Sequence, residues 1–576
     1  MADGIPAVPA AQRLVDHDRP SAGLYRPPAG PGAVGTTVPA RLSFGQERLW
    51  FMHQLFPQAH SYHVPAAFRL RGKIDFLALQ EAFTELVERH TVLRTRYRSD
   101  GAAAIIADVE LAQPFIIQII NVPSGLDEEC RDLITERVKA PFNLDTGPVI
   151  RADLFRIAGD DHVLLVNLHH IASDAWSLSV LAREISRLYA GGPVAPLALQ
   201  YEEYAGWQRD RLGGGAGQRH LDYWRRQLAG LTPLTVPGDR PRPEVPTFSG
   251  ARATVVLDAG LAGRVRALCR EHRVTLYAAM MAALQVLLAR CCGRDDVTVG
   301  SSMSDRGRPE FEELIGFCVN TVALRTDLSG DPPFADVARR VQAAALDAHE
   351  HVELPFERLV EELAPDRTLS RMPLFSVVMT YVSTPPVELV LPGVEVSEFA
   401  FDPGIVRYDL EWFVFDSGGE ITVEVDYQTD LFDAATIGRL LDAYLSLLAD
   451  AVQAPRTPVS ALGPPEPMGP RGVIRARAAV PAAGHAVGLA NGQAAAGTER
   501  GVAALFDEVF ARRGSRPDDD FFELGGHSLL AIKLVNRIRQ EFGVEPSLRS
   551  LFTSSTVARL AGQIDALLAS GGTGPK

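Results

Sequence analysis

Residues 162–177 read His162-Val-Leu-Leu-Val-Asn167-Leu-His169-His170-Ile-Ala-Ser-Asp174-Ala175-Trp176-Ser177. The run His162–Leu168 has the length and apolar content of a β-strand, and two adjacent histidines follow at its end. A bare histidine pair at a strand end is commonly packed or surface-exposed. An imidazole nevertheless titrates near pH 6.5, so it can take a proton from a nucleophile, or hold it by a hydrogen bond, without a metal. Zinc would need further ligands at suitable spacing. None follows here, and His349-x-His351 reads as an exposed or capping pair.

Outward from this strand the chain alternates helical and β-rich patterns from Arg41 to about Ala461, which makes one large α/β unit of two lobes. Apolar periodicity predicts helices over 75–89 and 437–454, and strands over 297–301, 322–327, 374–381 and 421–427. Leu276–Cys292 is the longest apolar run, but it contains Gln285 and Arg290 and reads as a buried helix of a soluble core. The length of 576 residues asks for three or four cores, and a hydrophobic share of 46% with 22% charged residues fits a globular chain. A net charge of −14 argues against a nucleic-acid surface. Five cysteines without C-x-x-C spacing read as reduced thiols of a cytoplasmic protein. Nothing in the sequence reads as a secretory signal or a membrane span. Residues 1–38, rich in Ala, Pro and Gly, read as a flexible arm.

Beyond Ala461 the composition changes. Residues 463–499 are mostly Ala, Gly, Pro and Val with no aromatic residue and read as a linker, and 571–576 as a tail. Residues 500–570 carry apolar spacing on Val502, Leu505, Phe506 and Val509, then on Leu529, Ile532, Val535 and Ile538, then on Val557, Leu560, Ile564 and Leu567. This is the pattern of amphipathic helices in a small bundle. Ser528 stands at the start of the middle helix, where a hydroxyl serves as an N-cap beside the positive end of the helix dipole. A hydrolase elbow G-x-S-x-G is excluded by Leu530.

The string Asp519-Asp-Phe-Phe-Glu-Leu-Gly-Gly-His-Ser528-Leu resembles the attachment site of peptidyl carrier proteins, D-x-F-F-x-L-G-G-x-S-L, at every specified position. The resemblance implies a four-helix fold whose short third helix lies near 548–552. It also implies a 4′-phosphopantetheine arm on Ser528, whose thiol holds acyl groups as thioesters, and a phosphopantetheinyl transferase to attach it.

His169-His170-x-x-x-Asp174-Ala175 resembles the H-H-x-x-x-D-G motif of condensation domains in nonribosomal peptide synthetases. Six further segments resemble that family in order. They are Ser43-Phe-Gly45-Gln-Glu-Arg48-Leu-Trp50, with Gly45 in place of the family alanine; Arg89-His90-x-x-Leu93-Arg94-Thr95; Tyr201-Glu-Glu-Tyr204-Ala-Gly-Trp207; Ile315-Gly-Phe317-Cys-Val-Asn320-Thr; His351-Val-Glu-Leu-Pro-Phe-Glu357; and Ser370-Arg-Met-Pro-Leu374. The resemblance implies a condensation domain over 39–462, with an N-lobe of about 39–215 and a C-lobe of about 216–462. Two chloramphenicol-acetyltransferase-like lobes form a V-shaped pseudo-dimer, with the histidine loop along a tunnel entered by carrier arms from both faces.

In this picture His170 is the principal catalytic residue, with His169 and Ser177 beside it, and Asp174 holds the loop by pairing with Arg306. Ala175, Trp176, Arg306 and Asn320 line or support the channel. Asn320 suits either a backbone turn or a bound thioester arm, while Arg48, Trp50 and Trp207 read as packing residues. Trp176-Ser177 resembles the subclass that takes an L-configured donor. The aspartate pair of heterocyclisation domains is absent. If position 175 needs a positive φ, alanine costs on the order of 1 kcal/mol there, and a degenerate site becomes an alternative. No adenylation segment lies between the two units. Ser528 is therefore expected to be loaded in trans by a stand-alone adenylation or acyl-transfer enzyme, with a donor carrier supplied by an upstream module. A linker of that length spans roughly 35 Å root mean square, more than the radius of gyration of roughly 22 Å for the lobe pair. Ester formation onto a hydroxyl is the enzymatic alternative, and a catalytically inactive carrier scaffold the non-enzymatic one.

Overall fold

The structure is a computed structural model that describes residues 39–99, 105–363, 372–382, 387–417, 419–463, 496–510, 512–521, 524, 528–544, 546, 551 and 554–569. The expected arm, most of the linker, the short third carrier helix apart from Leu551, the tail, Ser370–Arg371 and Gly525–His527 lie outside these residues.

Fourteen strands are described: β1 (Pro39–Ala40), β2 (His63–Gly72), β3 (Thr95–Ser99), β4 (Ile105–Val109), β5 (Gln118–Asn121), β6 (Ile150–Ala158), β7 (Asp161–His169), β8 (Gly250–Leu257), β9 (Asp296–Ser304), β10 (Val319–Asp327), β11 (Val377–Val382), β12 (Val394–Glu398), β13 (Leu410–Ser417) and β14 (Glu420–Gln428). They form two main sheets, one per lobe. The first has the order β12-β2-β7-β6-β5 and the second β10-β9-β11-β13-β14-β8, while β1, β4 and β3 make a small third sheet. Each main sheet is covered by helices, so the α/β reading with two sheet-containing lobes holds.

β7 is central to the first sheet. Leu164, Val166 and Leu168 face one core and Val163 and Leu165 the other, which accounts for its nearly continuous apolar run. Alternation then places Asn167 and His169 on the face covered by the helix Asp127–Lys139. Register pairs His63 with His169 across β2 and β7. The helix Leu276–Cys292 is buried in the second lobe, as its composition predicts. Among the described residues no single helix is long and apolar enough to cross a membrane.

Two segments complicate a lobe boundary at 215/216. β12, late in the chain, pairs antiparallel with β2 and completes the first sheet. Phe311, Leu314, Ile315, Phe317 and Cys318 also pack into the first lobe's core. The sequence pattern could not show either, because both are long-range pairings of segments with no unusual local signature.

In the carrier segment three helices are described, Ala496–Val509, Ser528–Phe542 and Val557–Ala569. Phe506, Phe521, Leu534, Ile538, Leu551, Leu560 and Ile564 are buried together. The first helix begins at Ala496, inside the stretch read as linker, where Thr498 is buried and donates to Asp565 Oδ1 at 2.5 Å, a tertiary contact that composition does not reveal.

Candidate functional site

The strand β7 ends at His169, a single 3-10 turn covers His170–Ala172, and the helix Ala175–Tyr189 begins after Asp174. Asp174 is the N-cap. Its Oδ1 accepts from Ser177 N at 2.8 Å, and Ser177 Oγ accepts from Asp174 N at 3.2 Å, so local sequence alone closes the turn.

The two histidines part ways. His169 is buried, and its Nδ1 accepts from Ile171 N at 3.1 Å. Its ring packs among Phe142, His63 and His53 at centroid distances of 5.9, 6.1 and 6.3 Å. Burial first, then the neighbouring imidazoles, hold its pKa well below the usual histidine value. His169 is thus a neutral, packed ring.

His170 sits at the lobe junction. Its backbone N donates to Tyr62 O at 2.8 Å, and its Nδ1 lies 2.6 Å from Ser173 O. A carbonyl oxygen only accepts, so Nδ1 carries the proton and Nε2 is left as an acceptor. Burial first, then the charge of Arg407, lower its pKa to about 4, with Arg48 acting more weakly in the same direction against Ser173 O and Asp174. The ring of Phe317, on the segment between β9 and β10 that packs into the first lobe's core, meets it edge-to-face at 4.8 Å.

Asp174 joins the lobes. Arg306 Nη2 donates to its Oδ1 at 3.0 Å and its Oδ2 at 3.1 Å, and Cys318 N donates to Oδ2 at 3.1 Å. Arg306 Nη1 donates to the carbonyls of Phe311 and Leu314 at 2.6 and 2.9 Å. Ser177 Oγ takes part as well, donating to Asp174 Oδ1 at 2.7 Å and accepting from Gly316 N at 3.0 Å. Ser177 is spent on this knot and is not displayed as a reagent. Trp176 Nε1 donates to Glu312 O at 2.7 Å, which ties the start of this helix to the segment between β9 and β10.

Ala175 is exposed at the first position of the helix, and it is absent from the residues with positive φ. The strain expected for alanine there does not arise, because a helical first turn uses ordinary negative φ. The choice left open at Asn320 falls on the backbone turn. Its Nδ2 donates to Val352 O and Leu354 O, both at 2.7 Å, and its Oδ1 accepts from Thr321 N at 2.9 Å and Phe356 N at 3.0 Å. All of its polar capacity is used. Arg48 pairs with Glu357 across the lobes at 3.0 Å, and Trp50 Nε1 donates to Tyr97 O at 3.0 Å. Trp207 packs tilted against Tyr204 and edge-to-face with Phe311.

No group of His, Cys, Asp or Glu able to hold a metal occurs among the described residues. His351 instead stacks on Tyr223 at 3.9 Å and faces His220 Nδ1 at 2.9 Å. Sequence reasoning assigned no role to Phe317, Arg407 or Tyr62, and the one available signal was Gly45 standing where an alanine was expected.

In the carrier bundle Ser528 is the first residue of its helix. A phosphodiester attached there would meet the positive end of the helix dipole, so the position fits the arm that the motif implies. When attached, that group supplies a thiol on which an acyl chain is held as a thioester.

Residues 38–467 match the Condensation domain family, and residues 500–564 match the family described as Phosphopantetheine attachment site. The chain is 38% identical over 435 residues to chondramide synthase cmdD of Chondromyces crocatus, covering 72% of this chain and 11% of that protein. It is 36% identical over 431 residues to malpinin synthetase of Mortierella alpina, covering 73% of this chain and 6% of that one. The chain therefore spans only a small part of these synthetases. Among solved structures, the X-domain from teicoplanin biosynthesis aligns with a TM-score of 0.69 at 29% identity, over 75% of this chain and 99% of that one. SgcC5 protein from Streptomyces globisporus aligns with a TM-score of 0.63 at 29% identity, over 73% of this chain and all of that one, 100%. The two lobes share the chloramphenicol-acetyltransferase-like fold of these neighbours. The chain belongs to the condensation-domain family of nonribosomal peptide synthetases, as a condensation domain followed by a carrier domain that bears 4′-phosphopantetheine on a serine.

Proposed function

We propose that the condensation domain joins a donor acyl or peptidyl thioester to the amine of a carrier-bound acceptor, and that His170 acts in this transfer. The amine nitrogen attacks the thioester carbonyl carbon, the C–S bond breaks, an amide forms, and the proton lost from nitrogen ends on the released thiol. The observation that carries the reading is the Nδ1 of His170 locked onto Ser173 O at 2.6 Å, which leaves a neutral Nε2 as an acceptor at the lobe junction. An imidazole whose pKa is about 4 is a weak base but a sound hydrogen-bond acceptor. It therefore orients the amine N–H first and abstracts its proton second. The charges of Arg407 and Arg48, which disfavour a proton on His170, equally disfavour an ammonium there and so favour the reactive free amine. Asp174 and Arg306 hold the loop, Ser177 completes that knot, and Trp176 and Ala175 sit at its rim, with an L-configured donor as the proposed class.

The carrier arm belongs on Ser528. An adenylation domain of several hundred residues does not fit between residue 467 and residue 500, which supports loading in trans by a separate adenylation or acyl-transfer enzyme. A donor carrier from an upstream module and a phosphopantetheinyl transferase complete the proposed partners. The test is transfer by His170→Ala with saturating loaded carriers. A loss of two orders of magnitude or more supports the reading, and wild-type transfer removes it.

A second reading, ester formation onto a hydroxyl, draws support from SgcC5, whose structure is a complex with (R)-(-)-1-(2-naphthyl)-1,2-ethanediol. Offering matched amine and alcohol acceptors to the same loaded donor separates the two. If neither is consumed and His170→Ala changes nothing in product formation, the chain serves as a carrier scaffold.

A further inference from the structure

Gly45 lies in the first turn of the helix Phe44–Leu55. A Cβ built on it would stand 2.5 Å from Cε1 and 2.6 Å from Cδ1 of Phe317, closer than a methyl and a ring can approach. The Phe317 ring therefore occupies space that any larger residue at 45 would claim. That same ring is the one edge-to-face with His170, at 4.8 Å with the planes at 74°.

The backbone around Phe317 is held on every side. Its carbonyl accepts from Tyr201 Oη at 2.7 Å, and Tyr201 Oη is 2.9 Å from Ser43 Oγ, the N-cap of the helix that carries Gly45. Gly316 N donates to Ser177 Oγ at 3.0 Å and Cys318 N to Asp174 Oδ2 at 3.1 Å. A Cβ on Gly316 would fall 1.9 Å from the Tyr201 ring, so that neighbour offers no slack either. Crowding at position 45 is relieved by turning the Phe317 ring, and the ring it turns against is His170.

We propose that Gly45 and Phe317 are a size-matched pair that sets the ring orientation of His170, with Phe317 a positioning residue for the transfer. The inference deepens the role given to His170 above and rests on that reading.

The test compares Gly45→Ala, Phe317→Leu and the double variant in the full chain with its loaded carrier. It measures kcat and KM for transfer, and the titration of His170 by NMR of 13C-histidine protein, assigned by the signal missing in His170→Gln. The expected result for Gly45→Ala is a kcat about tenfold lower, given how steeply rate depends on ångström-scale placement. KM for the loaded carriers stays unchanged and the His170 titration moves. The double variant is expected to be no slower than Phe317→Leu alone, because the smaller side chain no longer contests the space. Wild-type kcat and titration in Gly45→Ala overturn the proposal. So does a fall in activity that tracks lowered thermal stability while the titration stays in place. Full transfer by His170→Gln would instead remove the functional reading, and a titration shifted by Gly45→Ala would still support the ring-setting pair.

Discussion

Arg306 and Asp174 come from different lobes, 132 positions apart in sequence, and meet as a buried ion pair at 3.0 and 3.1 Å. The aspartate is fully buried and the arginine side chain is 3% exposed. Removing one partner leaves an uncompensated charge, which typically costs about 3–5 kcal/mol. Arg306→Leu is expected to lose that much in urea unfolding and to lose transfer with it. A variant of full stability would show that the pair is not what joins the lobes.

The pH dependence of transfer follows from two groups. His170, with a pKa of about 4, stays neutral across the physiological range. A free α-amino acceptor gains a proton below about 8. The rate is therefore expected to fall on acidification with the titration of the acceptor amine, with no added break near 6.5. A hydroxyl acceptor would give a rate flat down to about 5. The rate profile from pH 5 to 9 with each acceptor checks this.

Stability responds to pH through opposing groups. His53, His63 and His170 titrate near 4 in the fold and near 6.5 when unfolded. Between those values the unfolded chain binds more protons, so these histidines lower stability as pH falls, each by up to ~1.4 kcal/mol per pH unit. Asp305, buried beside Tyr204, is pushed up to about 7, and Asp426 to about 6. They act the other way, since the fold holds their protons more tightly than the unfolded chain does. Asp305→Asn is expected to raise the melting temperature more at pH 8 than at pH 5, because the fold's hold on this proton is fully stabilising only below the unfolded value of 3.8 and is lost as pH rises through about 7. Calorimetry at the two pH values reads the difference.

Asn320 separates structural from substrate-holding roles. Because its amide is committed to the turn Val352–Phe356, Asn320→Ala is expected to lose about 1–3 kcal/mol of stability, with KM for loaded carriers unchanged. A raised KM at unchanged stability would place its amide on the carrier arm.

Ser528→Ala is expected to gain no mass when offered coenzyme A and a phosphopantetheinyl transferase, whereas the parent protein gains one arm per chain. Intact-mass measurement decides the matter in one step.

Much of this was legible because the signals are local. The apolar run 162–168 became β7 with one residue added at each end, and Leu276–Cys292 kept its bounds. The histidine loop was legible too, since Asp174 and Ser177 sit three apart in a capping box that needs no distant partner. What stayed hidden depends on distance in sequence. β12 reads as a short, half-exposed segment until Phe68–Gly72 is seen beside it. The contest between Gly45 and Phe317 cannot be read from either residue alone. Ala175 misled because a motif carries no φ angle, and Asn320 stayed ambiguous because an amide offers the same donors to a peptide turn as to a ligand.

The seating of β12 in the first sheet bears on how such enzymes exchange parts. A cut at 215/216 would strip the N-terminal half of its edge strand, expose the pairing groups of Phe68–Gly72, and invite that edge to dimerise or aggregate. Recombination that trades one half for another must therefore carry two separate stretches of gene, or else join sheets whose strands were never selected to pair. The seam along which this domain can be inherited piecewise runs through space, and no single point in the chain follows it.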